Sequence, residues 1–318
     1  MKRIIPVLLL AAVLFGCGQQ KKDPTKKAPQ KAAHATNNAP LFHYGNPVLL
    51  QYDRYIAGLD TQLVNMGSQA VDTFQAFFKN QAPAVCDTAF YIFNQFHSRL
   101  SSYLDSHTEA DSIEYLQFFY AEENGKPYPL SQKHKAIKRA LDNNGFGMEP
   151  MEGAVLIVQN KQFMVQRFGK YVSAPMKQYL TQLTKEQKEG FESDGGLVIE
   201  PVILAGRTVW WEQFSKTIAN TNFLYAKETA DQYSLMLYVL MKGMDNTGVN
   251  DYYNDSIPNG YILSAYFQKA WTYVQEKHPQ SNTNAVITPF LNAWLKKDST
   301  EIKQVINSFE KEHRSPWQ

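Results

Sequence analysis

The chain has 318 residues, of which 44% are hydrophobic and 19% are charged. This composition excludes a disordered protein, and the counts of 17 Gly, 15 Pro and 2 Cys exclude collagen-like and disulfide-framework classes. With 32 Lys and Arg against 30 Asp and Glu, the formal charge is +2, so the overall charge does not support nucleic-acid binding.

The first 16 residues have the organisation of a secretion signal. Lys2 and Arg3 precede an apolar run from Ile4 to Phe15. A membrane-spanning helix needs roughly 20 apolar residues, and this run is shorter and contains Pro6. The sequence therefore predicts a signal peptide over residues 1–16 rather than a transmembrane helix.

The end of this run, Leu14-Phe15-Gly16-Cys17, resembles the lipobox of bacterial lipoproteins, although Phe15 departs from the small residue usual at its position. In that family the Cys sulfur takes a diacylglycerol, and cleavage before the Cys frees an amine for further acylation. The resemblance implies that Cys17 is the lipid attachment site and that the lipid anchors the chain to the membrane of the cell envelope. Gly18, by resemblance to enterobacterial sorting, favours the outer membrane. Asp23 stands alone, without the acidic run that accompanies surface export in lipoproteins of the Bacteroidota, so the periplasmic face is favoured over the cell surface. The alternative is an ordinary signal peptide followed by an unrelated Cys.

Residues 17–40 are predicted to form the lipid anchor and a flexible tether. Five lysines together with Pro24 and Pro29 leave no apolar face to bury. The Gln- and Lys-rich start resembles lipoproteins of the Bacteroidota. The lysines either attract anionic headgroups or only solubilise a spacer. Residues 41–318 are then expected to form a single, mostly helical domain.

Helical periodicity dominates the first part of this domain. Apolar residues recur every three or four positions in the segments 47–78, 83–106, 111–123 and 131–143. Ser131 is a typical helix N-cap, and Gly145 suits a left-handed helix end.

The middle of the chain is less regular. Ala154–Val158 and Phe163–Val165 are β-rich runs around a turn, which predicts a small β-ribbon within residues 154–168 that packs on helices. Ser173 is expected to begin a helix that ends at Gly190. Pro201 is expected at the first position of a further helix. Its apolar face would be formed at i+4 spacing by Val202, Gly206, Trp210, Phe214 and Ile218.

Residues 201–296 contain two helix–turn–helix units. In each, an aromatic helix (Trp211–Phe214 or Phe267–Trp271) leads through a polar turn into a second apolar helix. This plan resembles tetratricopeptide-like hairpins, without a clean 34-residue period. The predicted fold is therefore all-α or nearly so, a helical-hairpin array or bundle with one possible small β-ribbon.

No residue pattern predicts catalysis, a metal site or a cofactor. Cys86 lies on a helix face with no group that would activate it, so a buried inert thiol is expected. The seven His, at 34, 43, 97, 107, 134, 278 and 313, form no pattern with metal-ligand spacing. Gly195-Gly196 predicts a turn rather than a phosphate-binding loop.

Two groups of acidic residues leave alternatives open. The segment Asp245–Asp255 is rich in oxygen ligands that suit calcium, but an ordinary loop between helices is favoured. The carboxylate pairs Glu122-Glu123 and Glu149 with Glu152 could serve a glycosidase only if a cleft brought them together.

The aromatic pairs Trp210-Trp211 and Tyr252-Tyr253 could stack on sugar rings, although core packing explains most of the aromatic residues. The favoured function is a non-catalytic scaffold or protein-binding module with a protein partner in the envelope and no nucleic acid. The alternative is a protein that binds a glycan or another small ligand, followed by an envelope hydrolase.

Overall fold

The structure is a computed structural model that describes residues 45–107, 113–120, 122–123, 126–151, 153–251 and 262–313. The predicted signal peptide, Cys17 and the tether lie outside the described residues. Within them, the helices are α1 (Pro47–Ala57), α2 (Met66–Phe78), α3 (Pro83–His107), α4 (Ile113–Tyr120), α5 (Gln132–Asn143), α6 (Lys161–Phe168), α7 (Ala174–Glu189), α8 (Pro201–Ile218), α9 (Ala226–Lys242), α10 (Ala265–Lys277), α11 (Asn282–Lys296) and α12 (Ser299–Glu312).

The strands of the described residues form two-stranded antiparallel pairs. The pairs are β1 (Glu122–Glu123) with β2 (Lys126–Pro127), β3 (Phe146–Met151) with β4 (Ala154–Gln159), β5 (Glu192–Ser193) with β6 (Gly196–Leu197), β7 (Gly243–Met244) with β8 (Thr247–Gly248), and β9 (Asn250–Asp251) with β10 (Ile262–Leu263). The fold is therefore nearly all-α, as the sequence predicts.

Local signals fix several helix ends. Ser131 accepts a hydrogen bond from the backbone N–H of His134, and Ser173 accepts one from that of Met176. Pro201 occupies the first turn of α8, where a missing N–H costs nothing. The predicted starts of α5, α7 and α8 are confirmed.

The continuous periodicity predicted over residues 47–78 is interrupted. The helix α1 ends at Ala57, and α2 begins only at Met66. In the connection, the Asp60 side chain accepts a hydrogen bond from the Gln62 N–H, which favours a turn. Both helices pack against α3, so the break lets the chain present two short apolar faces to one long helix.

The β-ribbon forms, but its predicted second strand is wrong. Ala154–Gln159 pairs with the preceding segment Phe146–Met151, and Phe163–Val165 lies in α6. The Asn160 side chain accepts a hydrogen bond from the Phe163 N–H and so caps the helix at this point. The sheet partner therefore comes from upstream of β4.

The predicted apolar face of α8 is also only partly correct. Phe214 and Ile218 are buried, whereas Trp210 is half-buried. Because α9, α10 and α11 all contact α8, the helix is covered on several sides, and its charged Arg207 and Glu212 are buried too.

Aromatic rings fill much of the core. The ring centroid of Phe168 lies 4.7 Å from Phe74, 5.0 Å from Phe90 and 4.6 Å from Phe93. Such offset and edge contacts stabilise a core beyond the burial of area alone. Many of the aromatic residues are therefore structural.

The C-terminal helices form consecutive hairpins. The first is α8 with α9 and the second is α10 with α11, and α10 also packs against α8. The helix α12 packs against α11 at the end of the array. None of the helices in the described ranges has the length and apolar character required to cross a membrane.

Candidate functional site

An open groove lies between the first helices of the two C-terminal hairpins and is called here the α8–α10 groove. Its volume is about 410 Å³, and its lining residues are Val202, Ala265, Gln268, Lys269, Thr272, Tyr273 and Glu276. This volume falls within the range of ordinary ligand clefts.

The spacing of residues along α10 explains why this helix lines the groove. Phe267, Ala270, Trp271 and Val274 are buried, and the Trp271 indole N–H donates to the Leu240 carbonyl over 2.9 Å. The lining residues recur every three or four positions on the other side of the same helix. The groove is therefore the outward face of a helix whose inner face is fixed in the core.

The groove offers mixed chemistry. The ammonium of Lys269 and the carboxylate of Glu276 lie among the amide of Gln268, the hydroxyl of Thr272 and the ring of Tyr273. Aromatic residues are enriched in protein interfaces, and polar groups such as these form the solvent-accessible rim of an interface. These groups do not form the paired, buried acid and base that hydrolysis requires.

A buried carboxylate joins the two hairpins that form this groove. Glu212 of α8 accepts hydrogen bonds from the backbone N–H groups of Asn282 (2.7 Å) and Thr283 (2.8 Å) and from the Thr283 hydroxyl (2.7 Å). The Lys216 ammonium lies 2.5 Å from Oε1 of Glu212, the oxygen that also accepts from Asn282. Burial alone raises the pKa of Glu212, but the hydrogen bonds from Lys216, Thr283 and Asn282 outweigh burial and lower it. A charged carboxylate at the first turn of α11 also interacts favourably with the helix dipole.

A second cluster of charged groups joins α7 to α8. The buried guanidinium of Arg207 donates to Glu189 over 2.8 Å and to the Gly190 carbonyl over 2.7 Å. Glu186 accepts from the Trp211 indole over 2.8 Å, and burial raises the pKa of Glu186. These groups hold the end of α7 against α8, so their role is structural.

A buried hydrogen-bond network surrounds His97 of α3. His97 Nε2 lies 2.9 Å from the Asn144 carbonyl, and Nδ1 lies 3.2 Å from the Gln159 amide nitrogen. The same amide donates to Asn94, and Asn94 donates to the Tyr225 hydroxyl. Burial lowers the pKa of His97 to about 4, so this imidazole is uncharged at neutral pH. His97 is therefore a hydrogen-bonded core residue.

The other described His residues also make local contacts. His107 stacks on Tyr103, and His313 stacks on Phe309. His134 lies 2.5 Å from Glu114. His34 and His43 lie outside the described residues. In the part of the chain that the structure describes, no three His, Cys, Asp or Glu residues come together in a way that could hold a metal ion.

Cys86 is fully buried, as the sequence predicts. Its Sγ lies 3.6 Å from the Phe78 carbonyl, and burial raises the pKa of the thiol to about 11. A thiol that holds its proton at neutral pH is a poor nucleophile.

The oxygen-rich segment begins as a β-hairpin. The Asn246 side chain donates to the Asp194 carbonyl, and the Asn246 backbone N–H donates to the Gly195 carbonyl over 2.9 Å. The Thr247 hydroxyl accepts from the Leu197 N–H over 2.9 Å. These bonds join the hairpin β7–β8 to the predicted turn at Gly195-Gly196, which supports the interpretation as a structural loop. Residues 252–261, with Tyr252-Tyr253, lie outside the described residues.

Among the side chains that the structure describes, Glu149, Trp210 and Trp211 do not form an active site. Glu149 accepts from the Gln187 amide over 2.7 Å beside a cleft of about 250 Å³, and Glu152 lies outside the described residues. Trp211 is fully buried, so the pair Trp210-Trp211 does not form an exposed platform for a sugar. The structure does not describe the side chains of Glu122 and Glu123.

Comparison with models of known protein families, with curated proteins and with solved structures finds no match for this chain. The function has to be argued from its own residues. The sequence did not predict the α8–α10 groove or the charged groups beneath it, because Glu212 is 70 residues from its partner Asn282. The 3–4 spacing of polar residues opposite the apolar face of α10 was the one available signal.

Proposed function

We propose that this chain is a lipid-anchored cell-envelope protein that acts as a non-catalytic scaffold or protein-binding module. The anchor part of the proposal is supported by the lipobox-like sequence that ends in Cys17. The binding part is supported by the α8–α10 groove, which carries this proposal. The most favoured location is the periplasmic face of the outer membrane.

The architecture around the groove suits a binding surface. Consecutive helical hairpins place neighbouring first helices side by side, and this arrangement creates extended grooves. In this chain the groove walls are held rigidly by buried contacts: Glu212 connects α8 to α11, and Tyr266 donates to the Ile199 carbonyl over 2.7 Å. A surface that is rigid before binding loses less conformational entropy when the partner arrives.

The charged residues of the helical core support a non-catalytic role. Arg207 is bonded to Glu189 and to the Gly190 carbonyl, and Glu212 is bonded to the first turn of α11. A hydrolase needs an acid and a base in reach of one substrate. Because Trp211 is buried, the glycan alternative loses the pair Trp210-Trp211 as an exposed platform for a sugar.

The binding part is tested by purifying the full chain from its native envelope in gentle detergent and identifying copurifying proteins by mass spectrometry. Thr272→Arg places a long cation in the groove, whereas Thr217→Arg makes the same change on an exposed part of α8 that does not line it. We expect a stoichiometric protein with wild type and with Thr217→Arg, and at least a tenfold loss with Thr272→Arg. Retention of that protein by Thr272→Arg would place binding elsewhere, and the absence of any protein partner would reject the scaffold function.

The anchor part is tested separately with Cys17→Ser. Without a thiol at this position no lipid can be attached, so we expect mass spectrometry to find acyl chains on wild type and none on the variant. Cys86→Ser is the matched control because Cys86 is buried in the fold. An acylated Cys17→Ser chain, or wild type without acyl chains, would contradict the assignment of Cys17.

A further inference from the structure

A second groove lies between α3 and α5 and is called here the α3–α5 groove. Its volume is about 380 Å³, and it is lined mainly by Val64 of the α1–α2 connection, Leu104 and His107 of α3, and Lys133, Ile137 and Leu141 of α5. Most of these side chains are apolar, so the groove presents a hydrocarbon surface to solvent.

The walls of this groove are fixed. At the end of α5, Asn144 donates to the Ala140 carbonyl over 2.8 Å, accepts from the Ser68 N–H over 2.9 Å and contacts His97 through its own carbonyl. On the opposite wall, the His107 ring stacks on Tyr103 with centroids 4.0 Å apart. The groove is therefore a defined feature of the fold.

The charge at this groove has one sign. Its ionisable lining residues are Lys133 and His107, both basic, whereas the α8–α10 groove contains Lys269 together with Glu276. The helix α5 has four Lys or Arg residues and one Asp, although the formal net charge of residues 41–318 is −4. An anionic ligand is favoured here because a basic region stands out from an acidic domain.

The lining of the groove distinguishes between ligand classes. Its walls are formed by the aliphatic side chains of Val64, Leu104, Ile137 and Leu141, whereas the α8–α10 groove is lined mainly by polar side chains. Small-molecule sites begin at about 300 Å³, so a groove of about 380 Å³ accommodates a small ligand. An apolar wall beside the cation of Lys133 favours a single hydrocarbon chain with an anionic end.

We infer that the α3–α5 groove binds a single-chain fatty-acid anion. Its carboxylate would lie at Lys133, whose ammonium has three hydrogen-bond donors and can bind a ligand alongside a partner within the protein. Its chain would cover Val64, Leu104, Ile137 and Leu141, which removes apolar surface of both ligand and protein from water. This site is independent of the protein-binding groove proposed above.

The experiment uses the full chain in phosphatidylcholine nanodiscs, with a photoreactive dodecanoate as the probe and peptide mass spectrometry to locate the cross-link. We expect labelling of the peptides that contain Leu104 and Ile137. Unlabelled dodecanoate should compete, and dodecyltrimethylammonium, which has the same chain and the opposite charge, should not.

Three variants separate the chemistry of the site from its folding. Lys133→Glu should weaken the competition by dodecanoate about tenfold or more, because a hydrogen bond to a charged group is lost and a repulsion is added. Lys135→Glu makes the same charge change at an exposed position outside the groove lining and should leave competition unchanged. Ala140→Trp should abolish groove labelling, because the indole occupies the space beside Ile137.

Each alternative outcome overturns the inference. Equal competition by dodecanoate and dodecyltrimethylammonium would mean that the groove does not recognise the charge of the ligand. An unchanged response in Lys133→Glu would remove the carboxylate site. Labelling spread over exposed apolar residues such as Val198 and Leu295 would show only non-specific partitioning. Displacement of the probe by an acidic amphipathic peptide, without competition by dodecanoate, would assign the groove to a protein instead.

Discussion

The hydrogen bonds around His97, in the first half of the described chain, join mostly uncharged groups, whereas those around α8, in the second half, join charged ones. Around α3, the imidazole of His97 and the amide side chain of Gln159 share hydrogen bonds. Around α8, the guanidinium of Arg207 and the carboxylate of Glu212 form the corresponding contacts. Both solutions satisfy buried polar groups, but a charged group is far more costly to leave without its partner. The two regions should therefore respond differently to mutation and to pH.

The largest effect should come from removing the charged contact. Glu212→Ala leaves the first N–H groups of α11 without an acceptor, and Lys216 loses its partner. We expect the free energy of unfolding to fall by about 3 kcal/mol, because the buried donors of Thr283 are left unsatisfied, whereas Lys216 is half exposed and is solvated by water. Denaturant unfolding followed by circular dichroism measures the change.

Glu212→Gln sharpens this prediction because it keeps one acceptor oxygen and removes the charge. Its loss should be smaller than that of Glu212→Ala. Equal stability of wild type and Glu212→Ala would show that the cap contributes little and that the distinction between the two regions is wrong.

The next effect is a pH dependence in the uncharged region. The folded protein holds the pKa of His97 at about 4, below its usual value of 6.5, so protonation favours the unfolded chain. The stability that the buried neutral His97 contributes is fully present above pH 6.5, and it is lost as the pH falls toward 4. Between pH 7 and pH 5 the loss should be about 2 kcal/mol.

His97→Gln tests the origin of that loss, since an amide retains hydrogen-bonding capacity and does not titrate. The variant should be less stable at pH 7 because it loses the stacking of His97 on Phe146, and its stability should change less between pH 7 and pH 5. An unchanged slope would assign the titration to another group. Glu212 acts in a different pH range. Because the fold lowers its pKa, its contribution to the free energy of unfolding is lost only as the pH falls below the usual value of 4.5.

The smallest effect should come from an exposed ion pair. Lys242 and Glu310 lie 2.6 Å apart at the surface between α9 and α12. Glu310→Ala should change the free energy of unfolding by less than about 1 kcal/mol, because solvent screens such pairs. A loss comparable to that of Glu212→Ala would mean that burial does not distinguish the charged contacts of this protein.

The sequence predicts the parts of this fold whose signals are local. Ser131, Ser173 and Pro201 mark helix starts because capping and the fixed φ of proline act within one turn. The partner of β4 could not be predicted in the same way, since Phe146–Met151 contains Gly147 and Pro150, which weaken a strand pattern.

The buried charges of α8 show the same limit at the candidate site. A helical stripe that starts at Val202 and continues at Trp210 leaves Arg207 and Glu212 outside the apolar face. Their burial depends on groups from α7 and α11, such as Glu189 and Thr283, and no local pattern contains this information. Both grooves were missed for a similar reason, because each is formed by elements that are distant in the sequence.

The contact between Glu212 and α11 has a consequence for dissecting this chain into fragments. A truncation that ends after α10 removes Asn282 and Thr283 and leaves an ionised carboxylate without its main backbone donors. The opposite fragment, from α11 onward, begins with a helix whose first N–H groups have lost their acceptor. Neither piece is expected to behave as an autonomous folding unit, so the two C-terminal hairpins should unfold in one cooperative transition and not hairpin by hairpin.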